Sequence, residues 1–385
     1  MTAPDGFALY VHVPWCRHVC PYCDFNVHAR RHVPERDDVA ALVTELDAWA
    51  EQPPFAGAGV ASVFFGGGTP SLYSPAAIAG VLDHVAARFG IESGAEITLE
   101  ANPGTVCEDT LRGFRAAGVN RLSLGAQSFD AALLRTLGRD HGPADVDDAV
   151  AASRSAGFEN LSLDLIFGVP GETLADWARD LDAAIALAPE HVSTYALTYE
   201  AGTPFHHWRA EGRIAPVDED DDAAMGDLAC ERLAAAGYER YEISSHARPG
   251  FASRHNQRYW DGSSYLGIGP GAHSFAAAPP PGRRWANERD PAVYRALVGA
   301  HGIAVVSRED LSPVRAEADF VMTGLRRLSG IEVEAFGRRF GRPLDVALPQ
   351  LITLAADDLV EHVGGRLRLT TRGLRFADAV WMALV

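Results

Sequence analysis

Three cysteines fall within eight positions of the run Tyr10-Val-His-Val-Pro-Trp-Cys16-Arg-His-Val-Cys20-Pro-Tyr-Cys23-Asp-Phe25. With three and then two residues between them, their thiolates can converge on one side of a short loop and bind soft metal. A [4Fe–4S] cube has four irons, so three cysteines leave one iron open, whereas a cluster that only stores electrons normally has a fourth cysteine. An open iron can take a chelating small molecule. Structural zinc is the competing reading. It usually shows two Cys-x2-Cys pairs or a Cys2His2 set, and neither is present, although His12, His18 and His28 lie close by. Buried, unliganded cysteines would not cluster three in eight positions.

A loop of this kind needs a scaffold, and the chain downstream supplies one by repetition. An apolar run leads into the cysteines. After them Val39, Leu42, Val43, Leu46, Trp49 and Ala50 share one helical face that Pro53-Pro54 must end. Ser62 to Gly66 is a short apolar strand, and a helix follows from Ser74-Pro75 to a Gly90 cap. Glu96–Ala101, Arg121–Ala126, Leu161–Phe167 and His191–Thr198 read as further strands. Helical stripes stand after each of them, the last running from about Glu219 to Ala236. Six strand-then-helix units imply a parallel sheet with right-handed crossovers. Six is fewer than a closed barrel needs, so the expected fold is a partial (β/α)6 barrel over residues 1–245.

In such folds chemistry sits where strands end. Gly66-Gly67-Gly68-Thr69-Pro70 follows the second strand, where missing side chains admit a ligand to the backbone, or simply allow a tight turn. Glu100 ends the third strand, Gln127 ends the fourth, and Asp164 lies inside the fifth. Acidic and amide groups in apolar strands are costly without partners. A satisfied core hydrogen bond would explain any one of them; recurrence at equivalent places points to a shared polar ligand.

Residues 246–306 read as an irregular connection containing Arg254-His255-Asn256-Gln-Arg-Tyr259-Trp260, Tyr265-Leu-Gly-Ile-Gly-Pro-Gly271-Ala-His273 and a turn-rich Pro279-Pro-Pro281-Gly282. Beyond them, residues 307–385 give helical faces at 318–328, 333–340 and 348–354, then a hairpin about Gly364-Gly365, which together read as a winged-helix-like module. Its eleven Arg are matched by eleven Asp plus Glu, so a structural cap is expected rather than a DNA reader.

The 385 residues carry a formal net charge of -17, and every basic side chain is Arg. That balance argues against phosphate-neutralising recognition of nucleic acid. No apolar run is long enough to span a bilayer. The amino terminus lacks the basic and apolar regions of a secretory signal. Cys107 and Cys230 stand alone in stretches that read as helices and are taken as inert packing residues. Unpaired thiols and metal-ligand thiolates both fit a reducing cytoplasm.

Cys-x3-Cys-x2-Cys is the signature of the radical S-adenosylmethionine (SAM) proteins. From about Leu9 onward the chain resembles the branch containing oxygen-independent coproporphyrinogen III oxidase and a group of haem chaperones. In that family SAM chelates the open iron, and its reductive cleavage gives a 5′-deoxyadenosyl radical. The resemblance implies that Cys16, Cys20 and Cys23 ligate iron, that Tyr10 precedes the cluster loop, and that Tyr10 and Tyr22 are among the cofactor-binding residues. Gly67, Gly68 and Thr69 would contact the methionine end of SAM, while Glu100 and Gln127 would hold its polar groups. Arg139 and Asp164 would lie near its carboxylate and ribose. Without the resemblance Arg139 reads as a surface charge.

Three features separate the relatives. The oxidase has a further cysteine where this chain has Phe25; it has a long amino-terminal extension, whereas nine residues precede Tyr10 here; and His255-Asn256-x-x-Tyr259-Trp260 resembles the HNxxYW motif of the chaperone group. The chaperone reading implies bound haem, delivered to acceptor proteins such as respiratory membrane complexes, and no coproporphyrinogen oxidase activity. His255 is the candidate axial ligand, with flanking aromatics against the macrocycle. His206, His207 and His273 are other candidates, and a loop histidine bonded to backbone is the plain alternative. The competing function is the oxidase reaction itself, the oxidative decarboxylation of coproporphyrinogen III to protoporphyrinogen IX.

Overall fold

The computed structural model describes residues 6–384; residues 1–5 and 385 lie outside it, including part of the amino-terminal stretch read above for a secretory signal. Six parallel strands form as expected: β1 Phe7–Val13, β2 Val60–Gly67, β3 Ile91–Ala101, β4 Arg121–Gln127, β5 Leu161–Phe167 and β6 His191–Ala196. The helices between them include α1 Glu35–Ala50, α2 Pro75–Arg88, α3 Glu108–Ala116, α4 Ala131–Thr136, α5 Pro143–Ser155 and α6 Leu174–Ala186. Two more, α7 Pro204–Ala210 and α8 Glu219–Ala235, follow β6. The Ser74 hydroxyl caps α2 by accepting from the Ala77 N–H at 3.2 Å, and Gly90 takes the left-handed φ of 75° that stops it.

Alternation inside these strands sorts the side chains into two layers. Leu9, Val11, Val63, Phe65, Leu99, Leu122, Leu124, Leu163 and Val192 face the helices in the main core. The opposite, concave face carries Tyr10, His12, Ser62, Glu96, Thr98, Glu100, Arg121, Ser123, Ser162, Asp164, His191 and Ser193. Register confirms the rows: Ser62 pairs with Glu96 and Phe64 with Thr98, Glu100 with Ser123, Ser123 with Ser162, and Asp164 with Ser193. The interior of the partial barrel is therefore mostly polar, with Phe64 set between Tyr10 and His255.

The sheet extends past six strands because residues 246–306 are not the irregular connection expected from sequence. After the short antiparallel pair β7 Glu239–Arg240 and β8 Ser245–Ala247 comes α9 Arg254–Trp260, then β9 Tyr265–Ile268, β10 His273–Ala276 and β11 Arg283–Asn287. Helix α10, Pro291–His301, leads to β12 Val305–Asp310. β9 lies parallel to β1, with Leu9 opposite Leu266. The twelve strands run in the order β12-β11-β10-β9-β1-β2-β3-β4-β5-β6-β8-β7. The strands of this region are only three to six residues long, too short to show a period. Of the possible strand at Tyr238–Ser244, Glu239 and Arg240 pair with β8, and Glu242 bridges to Arg327 instead.

The carboxy-terminal part has its own core, built on Val321, Leu325, Ile331, Phe336, Leu354 and Leu367. It holds α11 Pro313–Gly324, a helix Val333–Phe340 and the hairpin Val360–Val363 with Arg366–Leu369, turned by Gly364 and Gly365 at φ 58° and 77°. Main-chain bonds dock it on the barrel: Ile243 N–H donates to the Arg326 carbonyl and Leu328 N–H to that of Tyr241, both at 3.1 Å. Cys230 sits within α8 as expected. Cys107 does not: it is the exposed cap residue before α3, so its packing role is corrected. No described helix is long and apolar enough to cross a membrane.

Candidate cofactor site

A cleft of about 780 Å³ opens at the carboxyl ends of the strands, lined by Cys16, Cys20, Cys23 and Tyr22 together with Gly67, Gly68, Thr69, Glu100, Gln127, Arg139 and Asp164. Every residue expected to hold the cluster or SAM, apart from Tyr10, thus meets in one place. The three cysteines are free of disulfides. Burial raises the pKa of Cys16 and pushes that of Cys23 up to about 11, so metal would have to displace protons from them. Three thiols on one short loop, all lining the same cleft, are the donor chemistry that an iron–sulfur cluster takes.

The loop is clamped from several sides. Gly68 and Thr69 donate their N–H groups to the carbonyls of Val13 and Trp15, each at 2.8 Å. A Cβ on Gly68 would come within 2.5 Å of the Trp15 carbonyl oxygen, and one on Gly67, at φ 110°, within 2.5 Å of the His12 ring. The glycine run is thus needed first for the approach of the cysteine loop, and the bared backbone at its edge follows from that. Thr69 points its hydroxyl at Cys16 Sγ, 3.6 Å away. On the far side Phe205 N–H donates to the Pro21 carbonyl at 2.9 Å.

Arg139 is no surface charge. Its guanidinium donates to Cys20 Sγ at 3.5 Å and to the Gly125 carbonyl at 3.1 Å, while its Nε has no partner. The chain turns at Gly138, where φ is 66° and a Cβ would lie 2.6 Å from Pro21. Gln127 is itself left-handed, at φ 68°, in a register irregularity of β4; a non-glycine residue held there stores strain typical of binding sites. A side chain at Gly125 would meet Gln127 Nε2 at 2.8 Å.

Glu100 accepts the Gly67 N–H at 3.1 Å. Burial, reinforced by the Asp164 charge, raises its pKa to about 8, so at neutral pH the carboxyl is held largely neutral until a cation joins it. Asp164 accepts from the hydroxyls of Ser123 at 2.8 Å and Ser162 at 3.3 Å; burial raises its pKa too. Beneath them Arg121 is 2% exposed, and its Nε is unpartnered.

Tyr10 stands apart from the other expected residues. Its hydroxyl meets His12 Nδ1 at 3.0 Å, and it lines a second cavity of about 460 Å³ that shares Asp24, Phe25, Gly67 and Glu100 with the first. His255 lines neither, which sets the geometry against the expectation that it ligates haem iron. It is 1% exposed; Nδ1 lies 2.9 Å from the Ser62 hydroxyl and Nε2 2.8 Å from that of Tyr259. Glu96 accepts from the N–H groups of Arg254 and His255, so α9 is fastened across the barrel interior by its positive end. Both imidazole nitrogens are engaged, and burial depresses the ring's pKa to about 3.

Sequence reasoning missed the supporting residues Ser123, Ser162, Arg121, Glu96 and Gly125. The signal was present, as polar residues at every second position of otherwise apolar strands. It missed Asn26 and Glu45 for lack of any local signal. Asn26 donates to the carbonyls of Pro270 and Arg289, each at 2.9 Å. Glu45, wholly buried in α1, accepts from Gly269 N–H, Asn287 and Tyr294.

Comparison with known proteins agrees with this geometry. Residues 10–184 match the Radical SAM superfamily model and residues 316–376 the HemN C-terminal domain model. The chain is 38% identical to the Escherichia coli protein named heme chaperone HemW, over 99% of this chain and 98% of that one. It is 36% identical to the Mycobacterium tuberculosis protein of that name, over 98% and 95%, and 32% identical to that of Bacillus subtilis, over 98% and 98%. The solved structure of coproporphyrinogen III oxidase (HemN) from E. coli, a radical SAM enzyme, shares the fold with a TM-score of 0.84 at 23% identity, covering 98% of this chain and 90% of that one. The chain therefore belongs to the radical SAM superfamily and, within its coproporphyrinogen III oxidase-like branch, to the HemW family.

Proposed function

We propose that this protein is a cytoplasmic haem chaperone that holds a [4Fe–4S] cluster on Cys16, Cys20 and Cys23, binds SAM beside it, and delivers haem to acceptor proteins, respiratory membrane complexes among them. The observation that carries the reading is the gathering of three disulfide-free cysteines with Glu100, Gln127, Arg139 and Asp164 in one cleft, in a chain of the HemW family. A cluster held by three thiolates supplies an iron with an open position for a chelating amino acid.

The protein's own groups then have definite tasks. Arg139 sets a positive charge against Cys20 and keeps donor capacity free for a carboxylate. Glu100 gives up its proton to pair with an ammonium group, which restores the charge balance that burial denies it. Asp164, fixed by two serines, accepts from ribose hydroxyls. Phe25 occupies the place of the oxidase's further cysteine and lines both cavities.

Anaerobically reconstituted protein tests the reading. About four irons per chain and the brown absorbance of a cluster are expected, with saturable, stoichiometric haem binding and haem transfer to an apo-acceptor. Incubation with SAM, reductant and coproporphyrinogen III should yield no protoporphyrinogen IX. Its accumulation at an enzymatic rate would establish the oxidase reading instead.

A further inference from the structure

The geometry points to the second cavity as the haem site, with His273 as the iron ligand and Arg289 as the partner of a haem propionate. This rests on the chaperone reading and gives it a location.

A haem site needs a free nitrogen donor, flat apolar walls and a cation for the propionates. Two histidines line the cavity. His12 is 6% exposed, and its ring is spoken for by the Tyr10 hydroxyl and, at 2.9 Å, the Asn26 carbonyl. His273 is exposed at the start of β10, and no hydrogen bond from a described residue holds its ring. Partial desolvation against the cavity wall, with the guanidiniums of Arg289 and Arg284, lowers its pKa, which keeps the imidazole neutral and ready to donate a lone pair.

The cation is equally specific. Arg284 is already paired with Glu309 at 2.9 Å and Asp319 at 3.1 Å. Arg289 has no carboxylate partner among the described residues; its guanidinium donates a hydrogen bond to the Asn26 amide oxygen at 3.4 Å. A guanidinium without a counterion at the rim of a cavity suits an external carboxylate.

Aromatic walls complete the site. Tyr259 and Tyr265 meet edge to face, with ring centroids 4.7 Å apart, and both line the cavity. His255 braces Tyr259 from behind, which gives the HNxxYW motif a positioning role in place of iron ligation. Phe25 is 66% exposed, a large apolar surface at the mouth of both cavities.

The test is titration of the full-length, cluster-reconstituted protein with ferric haem, haem dimethyl ester and iron-free protoporphyrin IX, followed in the Soret region. His273→Ala should weaken haem binding by about tenfold or more and shift the Soret band, with added imidazole restoring the band. Its affinity for iron-free protoporphyrin should be unchanged. Arg289→Ala should weaken haem but not the dimethyl ester. If the wild type binds haem and His273→Ala leaves both band and affinity unchanged, the assignment is overturned while the chaperone reading stands. If the wild type shows no saturable haem binding, the chaperone reading falls and the assignment falls with it.

Discussion

The side-chain amide nitrogen of Asn26 lies 2.9 Å from the main-chain carbonyl oxygen of Arg289. With its companion bond to the Pro270 carbonyl, it ties the cysteine loop to the wall of the second cavity. Gly271 permits the contact, since a Cβ there would lie 2.5 Å from the same nitrogen. Asn26→Ala should cost about 0.5–1.5 kcal/mol, the net worth of hydrogen bonds that water can partly replace. The shift in the urea midpoint measures it. Asn26→Asp, which lacks the donors, should lose as much.

Cys20→Ala removes one of three thiolates and the sulfur that faces Arg139. Iron content and brown absorbance should fall to background after reconstitution, while far-ultraviolet circular dichroism stays that of the wild type. Wild-type iron in this variant would refute the ligand assignment.

Arg139→Ala should weaken SAM binding by about ten- to a hundredfold, as expected for loss of a charge-assisted hydrogen bond. Equilibrium dialysis against labelled SAM reads this directly. Arg139→Lys should recover only part, because an ammonium cannot hold the Gly125 carbonyl, Cys20 and a ligand carboxylate in one plane.

Glu100 makes the stability of the cofactor-free protein depend on pH. Its folded pKa, about 8, lies above its ordinary 4.5, so between these values the folded state binds more protons than the unfolded one. Stability is full below about pH 4.5 and declines as pH rises towards 8, by at most about 1.4 kcal/mol per pH unit for one proton. Glu100→Gln should flatten this part of the profile in denaturation series from pH 5 to 9. Burial also raises Glu45 to about 7 and Glu172 to about 8, so the test is the difference between wild type and variant. Equal slopes would show that Glu100 is not the group.

His255→Ala should destabilise the fold by about 2–4 kcal/mol, since it leaves a cavity and strips buried partners from Ser62 and Tyr259. Because the ring only braces the wall, haem bound to the variant should retain the wild-type Soret position. Loss of that band in a variant still folded by circular dichroism would return His255 to the ligand role.

The spacing of Cys16, Cys20 and Cys23 pointed to the family, and the repeated strand-then-helix pattern determined the barrel, because both are local: thiol spacing in a short loop and periodicity within one element are written in neighbouring residues. The alternation in β3, β4 and β5 likewise exposed Glu100 and Asp164 as interior groups. Tertiary structure alone decided which histidine is free. His255 and His273 look alike in sequence, but Ser62, 193 residues away, and Tyr259 close the first, while no hydrogen bond among the described residues closes the second. The same holds for Arg139, drawn to Cys20 across 119 residues, and for β9, whose four residues are too few to show a period and become a strand by pairing with β1. Partners distant along the chain leave no pattern in the residues beside them, so their choice waits on the packed fold.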